Sequence, residues 1–192
     1  MATQLQIARS GTISDEVRFV AGAENVDAEL IRDEIAAGRL VIPANKRHLK
    51  SNLKPAGIGR VLSTKVNANI GTSSVRSSVQ AELEKMQAAL DAGADAIMDL
   101  STGGNLDETR EKLLARCPVP FGTVPIYQII EDRGVEDIDN KTILQIIEKQ
   151  ARQGVDFFTI HAGVLREHLP LIEKRVAGIV SRGGALLAKW ML

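Results

Sequence analysis

The order of apolar and polar positions predicts strands that alternate with helices along most of the chain. From about residue 62, short apolar runs are separated by stretches in which apolar residues recur every three or four positions, as do Leu83, Met86 and Leu90. The first pattern is typical of buried strands and the second of helices with one apolar face. The predicted strands lie near residues 64–70, 94–100, 119–124, 157–161 and 177–180.

Strands separated by helices in this way favour an α/β fold built from parallel βαβ units. No predicted strand is followed by a G-x-G-x-x-G motif, which argues against a dinucleotide-binding domain. We therefore expect residues 61–192 to form the N-terminal five βα units of a TIM-like (β/α)8 barrel. Residues 185–192 continue a helix-forming pattern without a stop signal, so we expect the chain to be part of a larger barrel.

Residues 1–60 lack this regular alternation and predict a small, mostly helical segment before the barrel. Ser14, followed by Asp15 and Glu16, resembles a helix cap with an acidic first turn. A second helix is predicted over residues 28–37. The basic stretch 46–50 has two interpretations, a solvated surface loop or a lid that brings cations to an anionic substrate.

Composition narrows the class of protein. Hydrophobic residues make up 44% of the 192 residues, enough for a core, and 24 basic residues balance 24 acidic ones. Such a neutral chain gives no reason to expect nucleic acid or an anionic membrane as a partner. The sequence has no apolar run of transmembrane length, no apolar signal core and only one cysteine, so we expect a cytoplasmic protein.

The cysteine and histidine counts also limit metal chemistry. An iron–sulfur cluster needs three or four thiolates, which Cys117 alone cannot supply. The three histidines, His48, His161 and His168, would need an unusual set of further ligands to form a zinc site. We therefore expect no metal site within this chain.

Polar and ligand-binding side chains follow the predicted strands, at the end of a barrel where binding sites form. Candidates at the five successive strand ends are Asn67 and Asn69; Met98, Asp99, Ser101 and Thr102; Thr123 and Tyr127; His161; and Ser181 and Arg182. Each has a structural alternative, such as a hydrogen-bonded His161 or a core Met98. Their shared position favours a single site for a small phosphorylated ligand that contains a ring.

The last strand end, within residues 176–190, suits an anion best. A polar turn with Ser181 and Arg182 leads into a predicted helix, and amides at a helix start carry partial positive charge. The Arg182 guanidinium can donate two hydrogen bonds to a phosphate, and Gly183 leaves room for close approach. The alternative is an ordinary turn whose arginine forms a surface salt bridge. No hydrolytic catalyst is evident; a Schiff base at Lys65 is a further alternative.

Several stretches, in order along the chain, resemble one enzyme family. They are QLQIARSG, IPANKRH, NANIGTSS, MDLSTGGNLDETR, PVPFGTVPIYQ, QGVDFFTIHAGVL and GIVSRGGALLAKW, and they extend over nearly all of the sequence. These motifs resemble phosphomethylpyrimidine synthase, the ThiC family of thiamine biosynthesis. The resemblance implies a carbon–carbon lyase of the radical S-adenosylmethionine type on a (β/α)8 barrel. Its substrate would be 5-aminoimidazole ribotide and its product 4-amino-5-hydroxymethyl-2-methylpyrimidine phosphate.

Two other functions stay open beside this one. A close paralogue group forms 5-hydroxybenzimidazole from the same ribotide, for anaerobic cobamides. The basic NKRHLKSNLKP stretch differs somewhat from the usual ThiC form, which keeps this paralogue in consideration. A non-catalytic half-barrel that binds a ligand or a partner is the second alternative.

The resemblance also implies substrate contacts and cofactors. The family's ribotide contacts fall on Asn69, Met98, Tyr127, His161, Ser181, Arg182 and Gly183. No residue for the radical steps is identified, and S-adenosylmethionine, a 4Fe–4S cluster and a divalent metal such as zinc would be held by ligands beyond Leu192. This chain is then the substrate-binding part, inactive alone, and it would form a homodimer or associate with a partner chain that completes the barrel.

Overall fold

Short strands and helices alternate through the computed structural model, which describes residues 2–75, 78–132 and 134–192. The strands are β1 (Leu40–Val41), β2 (Ile58–Gly59), β3 (Asn67–Ile70), β4 (Ala96–Asp99), β5 (Phe121–Thr123) and β6 (Phe157–Phe158). The helices are α1 (Gln4–Arg9), α2 (Asp15–Glu24), α3 (Ala28–Ala36), α4 (Lys46–Leu49), α5 (Val79–Asp91), α6 (Leu106–Leu114), α7 (Pro125–Asp132), α8 (Asn140–Gln153), α9 (Leu169–Ile172) and α10 (Arg182–Met191). Residues Val135–Asp137 and Arg166–His168 form short 3-10 turns.

Strands β3 to β6 form one parallel sheet, in the order in which they occur in the sequence. Asn69 pairs with Met98, Met98 with Gly122, and Gly122 with Phe157, so equivalent positions of the four strands lie in one row. Strands β1 and β2 form a separate antiparallel pair. The predicted α/β fold with a parallel sheet is confirmed, whereas a (β/α)8 barrel stays a prediction.

The hydrophobic core lies between one face of this sheet and helices α5 and α6. Alternate strand residues are buried there, among them Ile70, Ile97 and Phe121. The helix residues buried against them are Leu83, Met86, Leu113 and Leu114. Each such side chain stabilises the fold by about 1.5–3 kcal/mol. The helical spacing that predicted α5 therefore marks the face that packs on the sheet.

The fifth predicted strand, at residues 177–180, is not formed. Val176 and Ala177 lie in a turn, and Gly178 has a φ of +54°, a left-handed conformation that interrupts an extended strand. Val180 is 79% exposed, so this segment does not bury its apolar side chains against β6. The helix predicted to follow it is present as α10.

Prolines explain why two other elements are shorter than their patterns predict. Residues 119–120 stay outside β5 because Pro118 and Pro120 lack the amide hydrogen that a strand ladder uses. Leu165, Leu169 and Ile172 have helical spacing in the sequence, but the helix that this spacing predicts is reduced to a 3-10 turn and the four-residue α9, whose first turn contains Pro170. Within the described ranges, no helix has both the length and the apolar character needed to cross a membrane.

The caps at three helix starts can be compared with their predictions. The Ser14 hydroxyl accepts a hydrogen bond from the Val17 amide at 3.2 Å, as predicted. The Asn105 side chain caps α6, which its spacing to Glu108 in the sequence predicts. Ser77 has the capping-box spacing to Gln80 in the sequence, which predicts a cap for α5, but it lies outside the described residues. The hydroxyl of the neighbouring Ser78 accepts a hydrogen bond from the Ala81 amide.

Helices α1 to α3 surround a second hydrophobic cluster. Its buried residues are Ala8, Val17, Val20, Ile31, Ile35, Leu40 and Ile42. Helix α3 forms within one residue of its predicted end. The side chains of Val61 and Leu62 also pack on this cluster. The division of the chain into residues 1–60 and 61–192 stays a prediction.

The basic stretch 46–50 is anchored rather than wholly solvated, because His48 is buried. Its Nδ1 lies 2.6 Å from Asp156 Oδ2, and its Nε2 lies 2.7 Å from the Cys117 carbonyl oxygen. The same carboxylate accepts hydrogen bonds from the amides of Asn45 at 2.6 Å and Phe121 at 2.7 Å. These contacts place α4 at the amino ends of β5 and β6. The lid interpretation stays a prediction, although the predicted ligand groups lie at the opposite ends of the strands.

His48→Ala is expected to lower the free energy of unfolding by about 2–4 kcal/mol, because the buried Asp156 carboxylate and the Cys117 carbonyl lose a donor. Urea unfolding followed by circular dichroism measures the change. Lys50→Ala is the matched control, since this exposed side chain belongs to the same segment and is expected to change stability by less than about 0.5 kcal/mol. Equal losses in the two variants would contradict the anchoring role of His48.

Candidate functional site

The register of the sheet brings Asn69 beside Met98, on the face opposite the hydrophobic core. Asn69 is exposed, and its Oδ1 accepts a hydrogen bond from Asn67 Nδ2 at 3.0 Å. Met98 is half-buried and pairs with Asn69 across the β3–β4 ladder. The two predicted residues therefore share one surface.

Met98 is fixed from the other side by the chain that follows β6. The Thr159 hydroxyl lies 3.4 Å from the Met98 sulfur. On the same face, the Phe157 ring lies over Gly122, and a Cβ atom at that glycine would overlap the ring. Gly122 thus leaves room for the Phe157 ring against β5.

Arg182 lies between side chains that follow two different strands. Its Nη1 donates a hydrogen bond to the Thr102 hydroxyl at 3.2 Å, and Thr102 follows β4. Its Cζ lies 5.5 Å from the centre of the Tyr127 ring, in α7, which follows β5. A guanidinium over an aromatic ring gains about 0.5–1 kcal/mol at an exposed position. Among the described residues, the contacts of Arg182 are thus a hydroxyl and a ring, rather than the surface salt bridge that was the alternative.

The turn before α10 has the geometry of a helix cap. The Ser181 hydroxyl accepts a hydrogen bond from the Gly184 amide at 3.2 Å, and the Ser181 carbonyl accepts one from Ala185 at 2.8 Å. Within the described part of the chain, the amides of Arg182 and Gly183 have no acceptor. Free amides at a helix start favour an anion. Ser181 still has its own hydroxyl proton to donate.

His161 lies directly against this turn. A Cβ atom at Gly183 would overlap the imidazole ring, so only glycine allows this approach. The His161 side chain is half-buried and borders a cleft of about 130 Å³ between α7, α8 and α10. The cleft is mainly apolar, and its other lining residues include Ile126, Ile129, Thr159 and Leu187.

A buried network of polar side chains holds the helix that contains Tyr127. The next residue, Gln128, accepts hydrogen bonds from Arg110 Nη2 and Gln150 Nε2, both at 2.8 Å. Gln150 in turn accepts from the Thr123 hydroxyl at the end of β5, at 2.6 Å. Burial lowers the pKa of the Arg110 guanidinium, against the opposing charges of nearby carboxylates. These contacts fix α7 on α6, α8 and β5.

Asp99 points into the helix-facing layer and is not exposed to a ligand. Only 4% of it is exposed, and its Oδ1 accepts hydrogen bonds from both the amide and the hydroxyl of Ser101. Burial raises the pKa of the Asp99 carboxyl above its ordinary value, although these hydrogen bonds oppose the shift. Its role is to shape the turn after β4.

The structure thus brings the predicted residues into two neighbouring groups. Tyr127, His161, Ser181, Arg182 and Gly183 meet around the start of α10, whereas Asn69 and Met98 lie side by side on the sheet, where Met98 contacts Thr159. Thr102 was recognised as polar and near a strand end, but the resemblance did not assign it a contact. In the described ranges, no group of three or more histidine, cysteine, aspartate or glutamate side chains is placed to hold a metal ion.

A comparison with protein-family models gives a match over residues 3–192, to the radical SAM ThiC family. The matched region contains the parallel sheet and every strand-end residue described above. It also agrees with the motifs from which the resemblance was inferred. The chain belongs to the radical SAM ThiC family.

Proposed function

We propose that the strand-end residues bind 5-aminoimidazole ribotide, as the substrate-binding part of a lyase that makes the pyrimidine of thiamine. Family membership supports an enzyme of the radical SAM type. The observation that carries the substrate assignment is the position of Arg182, at the open start of α10 and over the Tyr127 ring. A cation, free amides and an aromatic ring together suit a phosphorylated heterocycle.

Each residue's role follows from its chemistry. The Arg182 guanidinium and the amides of Arg182 and Gly183 would bind the phosphate, with the Ser181 hydroxyl as a further donor. The exposed amide of Asn69 can both donate and accept, which suits the ribose or the aminoimidazole ring. His161 would hydrogen-bond the ligand near the α10 turn, and Met98 and Tyr127 would form apolar walls. Fixing the ribotide and excluding water is the contribution that radical chemistry needs from a protein.

The cofactor ligands expected for the family do not fit the residues of this chain. A 4Fe–4S cluster needs three or four thiolates, and Cys117 is the one cysteine in the sequence. Cys117 is also buried, and burial raises the pKa of its thiol to about 12. We propose that ligands for the cluster, for S-adenosylmethionine and for a divalent metal such as zinc come from protein outside this sequence. Assembly as a homodimer, or with a partner chain, is part of the same proposal.

Arg182→Ala is expected to weaken ribotide binding by about 1.5–3 kcal/mol, a rise in Kd of roughly ten- to 150-fold, because a charge-assisted hydrogen bond to phosphate is lost. Calorimetric titration of the full chain measures this. The unphosphorylated riboside should bind both proteins equally. Arg175→Ala removes another exposed arginine and should leave both affinities unchanged. Unaltered ribotide affinity in a folded Arg182→Ala protein would contradict the assignment of the phosphate site.

Gly183→Ala is expected to lower ribotide affinity because the new methyl group displaces His161, at a cost of about 1–3 kcal/mol. The same titration measures the loss. Gly163→Ala is the matched control, since a Cβ atom there meets nothing within 4 Å. If the two substitutions had equal effects, the contact between His161 and Gly183 would not matter for binding.

The product of the complete enzyme tests the reaction itself. After anaerobic reconstitution and incubation with the ribotide, chromatography and mass spectrometry should identify the hydroxymethylpyrimidine phosphate. Formation of 5-hydroxybenzimidazole alone would instead assign the chain to the paralogous reaction. Ribotide binding without either product would support a non-catalytic ligand-binding protein.

A further inference from the structure

The exposed Arg182 side chain has only a few contacts that could fix its guanidinium. Among the described residues these are the hydrogen bond to the Thr102 hydroxyl and the Tyr127 ring. A free arginine side chain loses substantial rotamer entropy when a ligand immobilises it. A binding arginine is therefore more effective when the protein already holds its head group.

The Thr102 hydroxyl is oriented to accept from Arg182. Only 7% of Thr102 is exposed, and its hydroxyl lies 3.5 Å from the Thr72 carbonyl oxygen, a group that can only accept. Because a guanidinium can only donate, the Thr102 oxygen accepts the bond from Arg182, and the hydroxyl's own proton can point toward the Thr72 carbonyl. The Thr102 amide donates to the same Thr72 carbonyl at 3.0 Å, so the residue is held at two points.

The loops that carry Thr72 and Thr102 are tied together closely. The Thr72 amide donates to the Ser101 hydroxyl at 2.9 Å, and the Thr72 hydroxyl donates to the Gly103 carbonyl at 2.6 Å. A Cβ atom at Gly103 would lie 2.5 Å from the Ser73 backbone, so the two loops meet backbone to backbone. Asp99 also belongs to this unit, because its Oδ1 accepts a hydrogen bond from the Ser101 amide at 2.9 Å. Thr102 therefore sits on a rigid base formed by the ends of β3 and β4.

We infer that Thr102 is a positioning residue, which acts through Arg182 to favour phosphorylated over unphosphorylated ligands. Its hydroxyl oxygen accepts a hydrogen bond from one N–H of the guanidinium. The other N–H groups of Arg182 are then left to face a ligand at the start of α10. The inference rests on the proposed function, because it requires that Arg182 bind the phosphate. It adds a residue, and a reason for selectivity, to the contacts already assigned.

Titrations of Thr102→Val and Thr102→Ser with ribotide and riboside test this inference in the full chain. Valine keeps the shape but removes the hydroxyl, and the ribotide Kd is expected to rise about tenfold, the scale of one lost hydrogen bond. Serine keeps the hydroxyl and is expected to stay within about twofold of the unaltered protein. Riboside affinity should not change in either variant. If valine does not fit, Thr102→Ala gives the same comparison with less bulk.

A double-substitution cycle separates positioning from a general structural effect. In an Arg182→Ala background, Thr102→Val should cause no further loss of ribotide affinity. An equal loss in that background, or an equal loss of riboside affinity, would overturn the inference. A loss with Arg182→Ala but none with Thr102→Val overturns the positioning role alone. Unchanged ribotide affinity in Arg182→Ala would overturn the proposed phosphate site as well.

Discussion

The arrangement of the sheet depends on the hydrogen bonds that the buried Asp156 carboxylate accepts. It lies just before β6 and accepts from the Phe121 amide at the start of β5, and from Asn45 and His48 near α4. Burying a carboxylate costs several kcal/mol unless its oxygens are hydrogen-bonded, and these donors offset that cost. One side chain thus joins the amino ends of two strands to the N-terminal segment.

Because neighbouring strands are hydrogen-bonded to each other, the register set at their amino ends also fixes which residues lie side by side at their carboxyl ends. Ladder pairing sets Asn69 beside Met98, and the turns after β4 and β5 then place Thr102 and Tyr127 on two sides of Arg182. Glycine at position 183 permits a close approach between the α10 turn and the His161 imidazole ring. The Asp156 contacts and the residues proposed to hold the ligand therefore lie at opposite ends of one sheet.

Much of the fold could be predicted because local patterns report local packing. The spacing of Leu83 and Met86 identified the buried face of α5, and Ser14 identified the start of α2. Residues 177–180 show the limit of this reasoning. An apolar pattern reports a tendency to be buried, but a strand also needs a paired neighbour and an extended backbone, which Gly178 does not adopt.

Long-range contacts explain what the sequence did not reveal at the site. His48 lies among lysines and arginines, and nothing nearby in the sequence indicates a buried carboxylate partner at Asp156. Thr102 resembles an ordinary turn residue until α10 brings Arg182 to it. The strand-end rule identified the region, whereas the particular hydrogen bonds depend on how separate elements pack.

Arg182 has no carboxylate partner among the described residues, and this affects how it meets an anion. Because these described neighbours are neutral, an arriving anion need not displace an ion pair formed with them. Under the proposed function, inorganic phosphate and other small anions would compete for the same guanidinium, and discrimination among phosphorylated molecules would then rest on Asn69, Met98 and Tyr127.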